Sequence, residues 1–290
     1  MEGSNYYLVL LFDYYGHTVK FMQHICEGKY SMKQQLISFA RNIRVLSLIE
    51  KINFFIVKTK NHKANQRYSL QTNFMFPPES LMYDAYSHCS YEAYDKTGLN
   101  DAKMIMKIIR KYCNSNRLTI CEFGCGPARI IRHLRSIDSG IDKLVGTDYN
   151  IDTINYCKKV IPGVNFIKNN LAPPLDLPDK SIDVLYCISV FTHLSNEMHF
   201  KWIEEIRRIL KTGGIFIGSF HGDESYDNLL PSEKLLISNG ELVTRGKVKE
   251  GSRIYTAYHS DQFIIEKLLK DFDFINKENV HFGQTVWCAK

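Results

Sequence analysis

The 290-residue chain has no apolar run long enough to cross a membrane. Its longest early run, Tyr6 to Phe12 (YYLVLLF), is closed by Asp13 and falls far short of the roughly 20 residues that a spanning helix needs. No positively charged segment precedes that run, so a cleavable secretory signal is not expected and a cytoplasmic location is. Internal repeats and low-complexity tracts are also missing, and the chain reads as one globular domain with an extension. The eight cysteines contain no C-x-x-C pair. Cys121, Cys157 and Cys187 lie in segments that read as core, which points to buried free thiols and gives no metal site.

Charge is unevenly placed. The formal net charge is +6, and Met1 to Met75 alone carry 10 Lys and Arg against 4 Asp and Glu, which accounts for the whole excess. Without clustered aromatics such a segment reads as a solvated face, and nucleic acid is not the expected partner. Within it, Leu36, Phe39, Ala40, Ile43, Leu46 and Ile49 recur at helical spacing. Residues 1–75 are therefore expected to form a helical N-terminal extension, a lid or a homodimer surface. The paired prolines of MFPPES (Met75 to Ser80) mark the boundary.

Beyond Phe76 the pattern changes. A helix is expected from Asn100, with Ala102, Ile105, Met106 and Ile109 on its apolar face. Short apolar strands follow at Leu118–Phe123, Lys143–Asp148, Val164–Lys168, Ile182–Ser189 and Gly214–Phe220, separated by helical or turn-rich stretches. Before the fifth strand, Ser195 caps a helix faced by Trp202, Ile203, Ile206 and Leu210 and ended by KTGG. The tail reads as a helix over Asp261–Asp271 and strands near Asp273–Asn276 and Thr285–Ala289. Such alternation predicts an α/β fold, a doubly wound, mostly parallel sheet covered by helices on both faces.

The stretch TICEFGCGPARIIRHL (Thr119 to Leu134) sits at the end of the first strand, where ligands bind in open parallel sheets. Gly124 and Gly126 permit close approach of a ligand, and Pro127 suits the first turn of a helix faced by Ile130, Ile131, Leu134 and Ile137. A dinucleotide site wants a third glycine three residues on, and that position is Arg129. Glu122, two residues before the first glycine, would repel a diphosphate and suits an ammonium or sulfonium group. Asp148, at the end of the second strand, can accept both hydroxyls of a ribose. The pattern calls for a nucleoside with a cationic tail.

With CEFGCGPAR, GTDYN, NNLAPPLDLPDKSIDVLYCISVFTHL and LKTGGIFIGSFHG in this order, the chain from about Phe76 onward resembles the class I S-adenosylmethionine-dependent methyltransferases. FPPESLMYDAYS, SVFTHL, SFHG and YHS are similar to a bacterial subgroup from carbohydrate and natural-product pathways. The resemblance implies a Rossmann-like, seven-stranded sheet and S-adenosylmethionine as cofactor. It also implies that Glu122, Gly124 and Gly126 hold the methionine end, Asp148 the ribose, and Asn170 with Leu171 the adenine edge, with Phe191 packed nearby. Base candidates for a hydroxyl acceptor are His221, directly after the fifth strand, then His259 and His193.

The N-P-P-Y-like turn of enzymes that methylate an exocyclic adenine amine or a glutamine amide is missing, since SVFTH stands there. No Pro-Cys pair provides a nucleophile for base-carbon methylation. The expected acceptor is thus a hydroxyl or amine of a small molecule or carbohydrate, in a biosynthetic pathway. An RNA or protein methyltransferase that binds through the basic N-terminal segment is the alternative. A nicotinamide-dependent oxidoreductase is opposed by Glu122 and Arg129. The polar stretch from His221 to His259 is expected to cover the acceptor as a lid.

Overall fold

A computed structural model of the chain describes residues 37, 40–41, 45–281 and 284–290. Leu36, Phe39 and Ile43 of the expected helical spacing, and Cys26, lie outside the described residues. The helices are α1 (Leu46–Ser69), α2 (Glu79–Tyr86), α3 (Tyr91–Tyr112), α4 (Ile131–Ile137), α5 (Ile151–Val160), α6 (Asn196–Ile209) and α7 (Pro231–Ser238). The strands are β1 (Leu118–Phe123), β2 (Ile141–Asp148), β3 (Asn165–Lys168), β4 (Ile182–Cys187), β5 (Leu210–Phe220), β6 (Val243–Arg245), β7 (Thr256–Tyr258), β8 (Ile275–His281) and β9 (Gln284–Ala289).

Seven strands form one sheet in the order β3-β2-β1-β4-β5-β9-β8, and β6 pairs with β7 apart from it. β1 to β5 run parallel, while β9 is antiparallel to both β5 and β8. The expected doubly wound, mostly parallel, Rossmann-like sheet is present. Its winding direction switches at β1, which lies between β2 and β4, and this opens a crevice at the carboxyl ends of the strands.

Two buried clusters cover the faces of the sheet, and the two-residue period of a strand sorts side chains between them. Val184 and Tyr186 of β4 join Ile105 and Ile109 of α3, Leu134 of α4 and Ile154 of α5. Leu185 and Cys187 join Trp202 and Ile206 of α6 with Phe263 and Leu268. Cys121, Cys157 and Cys187 are buried free thiols, as expected.

Three expected boundaries need correction. α3 starts at Tyr91, capped by Ser90, whose hydroxyl accepts from the Ala93 N–H at 3.2 Å, so Asn100 is an interior residue. β5 opens already at Leu210, because KTGG is taken into the strand as a bulge, with Ile182 opposite Leu210 and Val184 opposite Ile215. The tail helix is short, and Phe263–Leu268 form a π-type turn.

The described part of the extension is the long helix α1, fastened by a buried amide. Asn65 donates to the Cys89 carbonyl at 2.8 Å and accepts from the Tyr91 N–H at 3.0 Å. Those bonds tie α1 to the turn between α2 and α3. Near its start, Glu50 accepts from the Tyr83 hydroxyl of α2 at 3.1 Å and pairs with Arg253.

Candidate functional site

The loop after β1 leaves the strand through two residues in left-handed conformation, Gly124 at φ +70° and Gly126 at φ +50°. A Cβ on Gly124 would sit 2.4 Å from Cγ2 of Val190, so the position excludes any side chain on steric grounds as well. α4 does not begin at Pro127 as expected. Cys125 to Ile130 form turns in which Ala128 has φ +59°, and the helix proper starts at Ile131.

The loop owes its shape to α3. Tyr94 donates its hydroxyl to the Pro127 carbonyl at 2.7 Å. Gly98 lets the helix backbone press against the loop, since a Cβ there would stand 2.3 Å from the Arg129 carbonyl oxygen. The Arg129 side chain pairs with Asp101, donates to the Thr97 hydroxyl at 2.9 Å, and lies over the Tyr86 ring at 5.2 Å. The close helix-to-loop approach that a third loop glycine would permit is supplied from the opposite side by Gly98.

A cavity opens at this point. Glu122, Gly124, Gly126, Asp148, Asn170, Leu171 and His193 all line it, so seven expected site residues meet in one place. Glu122 is buried, and its carboxylate accepts from the Ile131 N–H at 3.1 Å. Burial pushes this carboxyl up to about 8. Asp148 accepts from the Gly126 N–H at 2.9 Å and the Asn150 N–H at 2.8 Å, and burial raises it to about 6. Each of its oxygens retains a further lone pair.

Phe191, His221 and His259 do not line this cavity. Phe191 is fully buried against Phe220, His199 and Phe216 and belongs to the core. His221 is buried where β5 ends, with Nδ1 3.1 Å from the Ala257 carbonyl oxygen. Its own carbonyl accepts from the His259 N–H at 2.8 Å, and His259 Nε2 lies 2.8 Å from His199 Nε2. These rings lock the crossing of β5, β7 and α6 behind the cavity wall. His221 does follow the strand end directly, but the chain folds back through β7 and covers it.

Several wall residues escaped the sequence reading. Asn169 is buried, and its Oδ1 has no hydrogen-bond partner among the described residues, whereas the neighbouring Asn170 is exposed and holds Lys168 at 3.1 Å. Tyr86 of α2 likewise presents a buried hydroxyl without a partner among the described residues. Tyr149 follows Asp148 in the wall and donates to the Gly251 carbonyl at 3.1 Å. An aromatic directly after the ribose acid was the one available signal. Gly251 and Arg253 come from the polar stretch expected to act as a lid, and the Gly251 N–H donates to the His193 carbonyl at 2.9 Å.

Three carboxylates, Asp84, Glu122 and Asp148, line one cavity together with the guanidinium groups of Arg129 and Arg253, the Asn169 amide and the Tyr86 hydroxyl, beside a backbone loop open to close approach. Residues 121–218 match the family model of the methyltransferase domain. That methyltransferase-domain match runs from β1 to β5 and so contains Glu122, Asp148, Asn169 and His193. A protein of Mycolicibacterium smegmatis named "Probable S-adenosylmethionine-dependent methyltransferase" is 35% identical over 100 residues, covering 34% of this chain and 37% of that protein. The chain thus spans little more than a third of that relative's length. Among solved structures, the complex of DhpI with SAH aligns with a TM-score of 0.48 and 16% identity over 73% of this chain and 95% of the other. The PH0226 protein of Pyrococcus horikoshii aligns with a TM-score of 0.49 and 21% identity over 66% and 89%.

Proposed function

We propose that the protein is a methyltransferase that uses S-adenosylmethionine to methylate a hydroxyl or amine of a small molecule or sugar in a biosynthetic pathway. The observation that carries this reading is the meeting of Glu122, Asp148 and Asn169 around the open glycine loop in a single cavity. Hydrogen-bond acceptors there suit a ligand rich in donors and positive charge. Asp148 takes the ribose hydroxyls, Asn169 Oδ1 the exocyclic amine of adenine, and Glu122 the cationic methionine end. A diphosphate would meet the two carboxylates instead. When bound, the cofactor supplies a methyl group on positive sulfur, already a strong electrophile.

The chain's own work is then alignment and proton transfer. Holding acceptor and methyl donor in line supplies much of the barrier reduction, about 7–11 kcal/mol in favourable systems. Of the three histidine candidates, His193 takes the role of base, because it lines the cavity. Its Nδ1 lies 2.6 Å from the Tyr255 carbonyl oxygen and donates to it, which leaves the lone pair on Nε2. Burial lowers this imidazole to about 4, so at neutral pH the ring is neutral and its Nε2 lone pair is not occupied by a proton. On transfer, the proton of the acceptor hydroxyl would pass to Nε2 of His193. α2 and the segment around Arg253 form the roof, and Glu50 of α1 pairs with Arg253.

Calorimetric titration with S-adenosylhomocysteine and with NAD tests the cofactor. Heat with the former, none with the latter, and a loss of about tenfold to hundredfold in affinity for Asp148→Asn are expected. Absence of heat with S-adenosylhomocysteine sinks the reading. Transfer of labelled methyl into fractionated cell extract then tests the base, with His193→Ala expected to slow it by about 10²- to 10⁴-fold while leaving cofactor affinity in place.

A further inference from the structure

α1 buries one face and leaves an apolar stripe on the other. Leu46, Asn53 and Asn65 are buried toward α2 and α3. On the opposite side Leu48, Ile52, Phe55 and Ile56 are 59%, 44%, 64% and 37% exposed. Their spacing of i, i+4, i+7 and i+8 places them together on one side of the helix. Leaving four large apolar side chains side by side in water is costly, and patches of this kind mark interaction surfaces.

The charge around the stripe selects the occupant. α1 carries five basic residues and a single acid, Glu50, and that acid is turned inward to Tyr83 and Arg253. Lys51 borders the stripe on one side and Lys60 on the other, with Lys63 in line with it seven residues on from Ile56, all exposed, while Lys58 pairs with Glu79 of α2 at 3.4 Å. A second copy of α1 laid against this face would bring lysine beside lysine. A nucleic acid would use the lysines and leave four apolar side chains against phosphate. An anionic lipid surface takes both, with the apolar stripe entering the boundary between headgroup and acyl chain and the lysines meeting lipid phosphates. No helix among the described residues is long and apolar enough to span a bilayer, so α1 would lie along it.

We infer that the outward face of α1, centred on Ile52 and Phe55, is a docking surface for an anionic membrane. Because Glu50 of the same helix pairs with Arg253 of the cavity wall, whatever holds α1 also bears on the roof of the site. This inference is independent of the methylation chemistry.

The test is co-sedimentation of the full chain with vesicles of equimolar phosphatidylcholine and phosphatidylglycerol, against vesicles of phosphatidylcholine alone. Binding to the anionic vesicles is expected to be at least about tenfold tighter and to weaken as salt rises. Phe55→Asp should reduce it by about tenfold or more, and Lys60→Glu with Lys63→Glu should remove the preference for anionic lipid. The unfolding temperature of each variant, kept at the wild-type value, excludes a folding defect. Three results overturn the inference: no binding by the full chain, binding unchanged by Phe55→Asp, or a dimer in light scattering that Phe55→Asp dissociates, which would give the face to a second copy.

Discussion

Glu122 is the residue on which the cofactor reading is most exposed to test. Burial raises its carboxyl to about 8, so the ligand-free protein holds it largely protonated at neutral pH. A cationic ligand prefers the ionised form, and binding must therefore expel the proton. About one unit below that value the ionised fraction is about a tenth, which costs about 1.4 kcal/mol and about tenfold in affinity. Affinity for S-adenosylhomocysteine, whose methionine end carries an ammonium, should accordingly rise by about tenfold between about pH 6 and about pH 7 and level off near about pH 8. Titration calorimetry in buffers of different ionisation enthalpy reads this directly, with close to one proton released per ligand at the lower pH. In Glu122→Gln the release and the pH slope should both vanish, leaving the weak affinity flat. Stability gives a second readout with the opposite ligand state. The folded protein keeps the proton above the ordinary value of 4.5 and the unfolded chain does not, so stability falls as pH rises from 4.5 to about 8. Glu122→Gln should flatten that part of the curve. Wild-type binding with no proton released, or a Gln variant that still releases one, refutes the assignment of Glu122 to the cationic end.

Two further substitutions test how the site is held. Gly98→Ala gains helix propensity worth about 1 kcal/mol but drives a Cβ to 2.3 Å from the Arg129 carbonyl oxygen, so a net loss with a lower unfolding temperature is expected. An unchanged or raised temperature would show that α3 and the loop can part freely. Asn65→Ala strands the Cys89 carbonyl and the Tyr91 N–H and should cost about 2–3 kcal/mol in chemical denaturation, while a loss below about 0.5 kcal/mol would mean that α1 is not fastened there.

What could be read from the sequence was governed by locality. β1 was legible to the residue, because a short apolar run ending in Glu-x-Gly-x-Gly has few alternatives. Glu122, Gly124, Gly126 and Asp148 followed from strand ends alone, since the fold delivers every parallel strand end to one edge. The first half of α3 was hidden because Gly98 and Asn100 look like a break and a cap. Only the loop packed on top shows that Gly98 is interior and small for Arg129. The same cause hid Tyr94 and Thr97, which act on residues 33 and 32 positions away. Asn169 and Asn170 are chemically identical neighbours, and nothing short of burial decides which one keeps an unmatched acceptor.

The histidines show the limit of inference from strand ends. His221 and His193 both follow the carboxyl ends of strands, β5 and β4, and by position alone His221 ranks first as a base because it comes directly after its strand. The deciding feature is what returns over each end. β7 comes back across β5, takes the His221 carbonyl into a bond with the His259 N–H, and seals both rings beneath Tyr258 and Phe220. Over β4 the returning segment is the turn through Gly251, which bonds to the backbone of His193 and leaves its ring in the cavity wall. A base at His193 is consequently held from the roof, by Tyr255 at its Nδ1 and Gly251 at its carbonyl. Loosening that roof at Glu50 or Arg253 should therefore slow transfer without first weakening the hold of Asp148 on the cofactor.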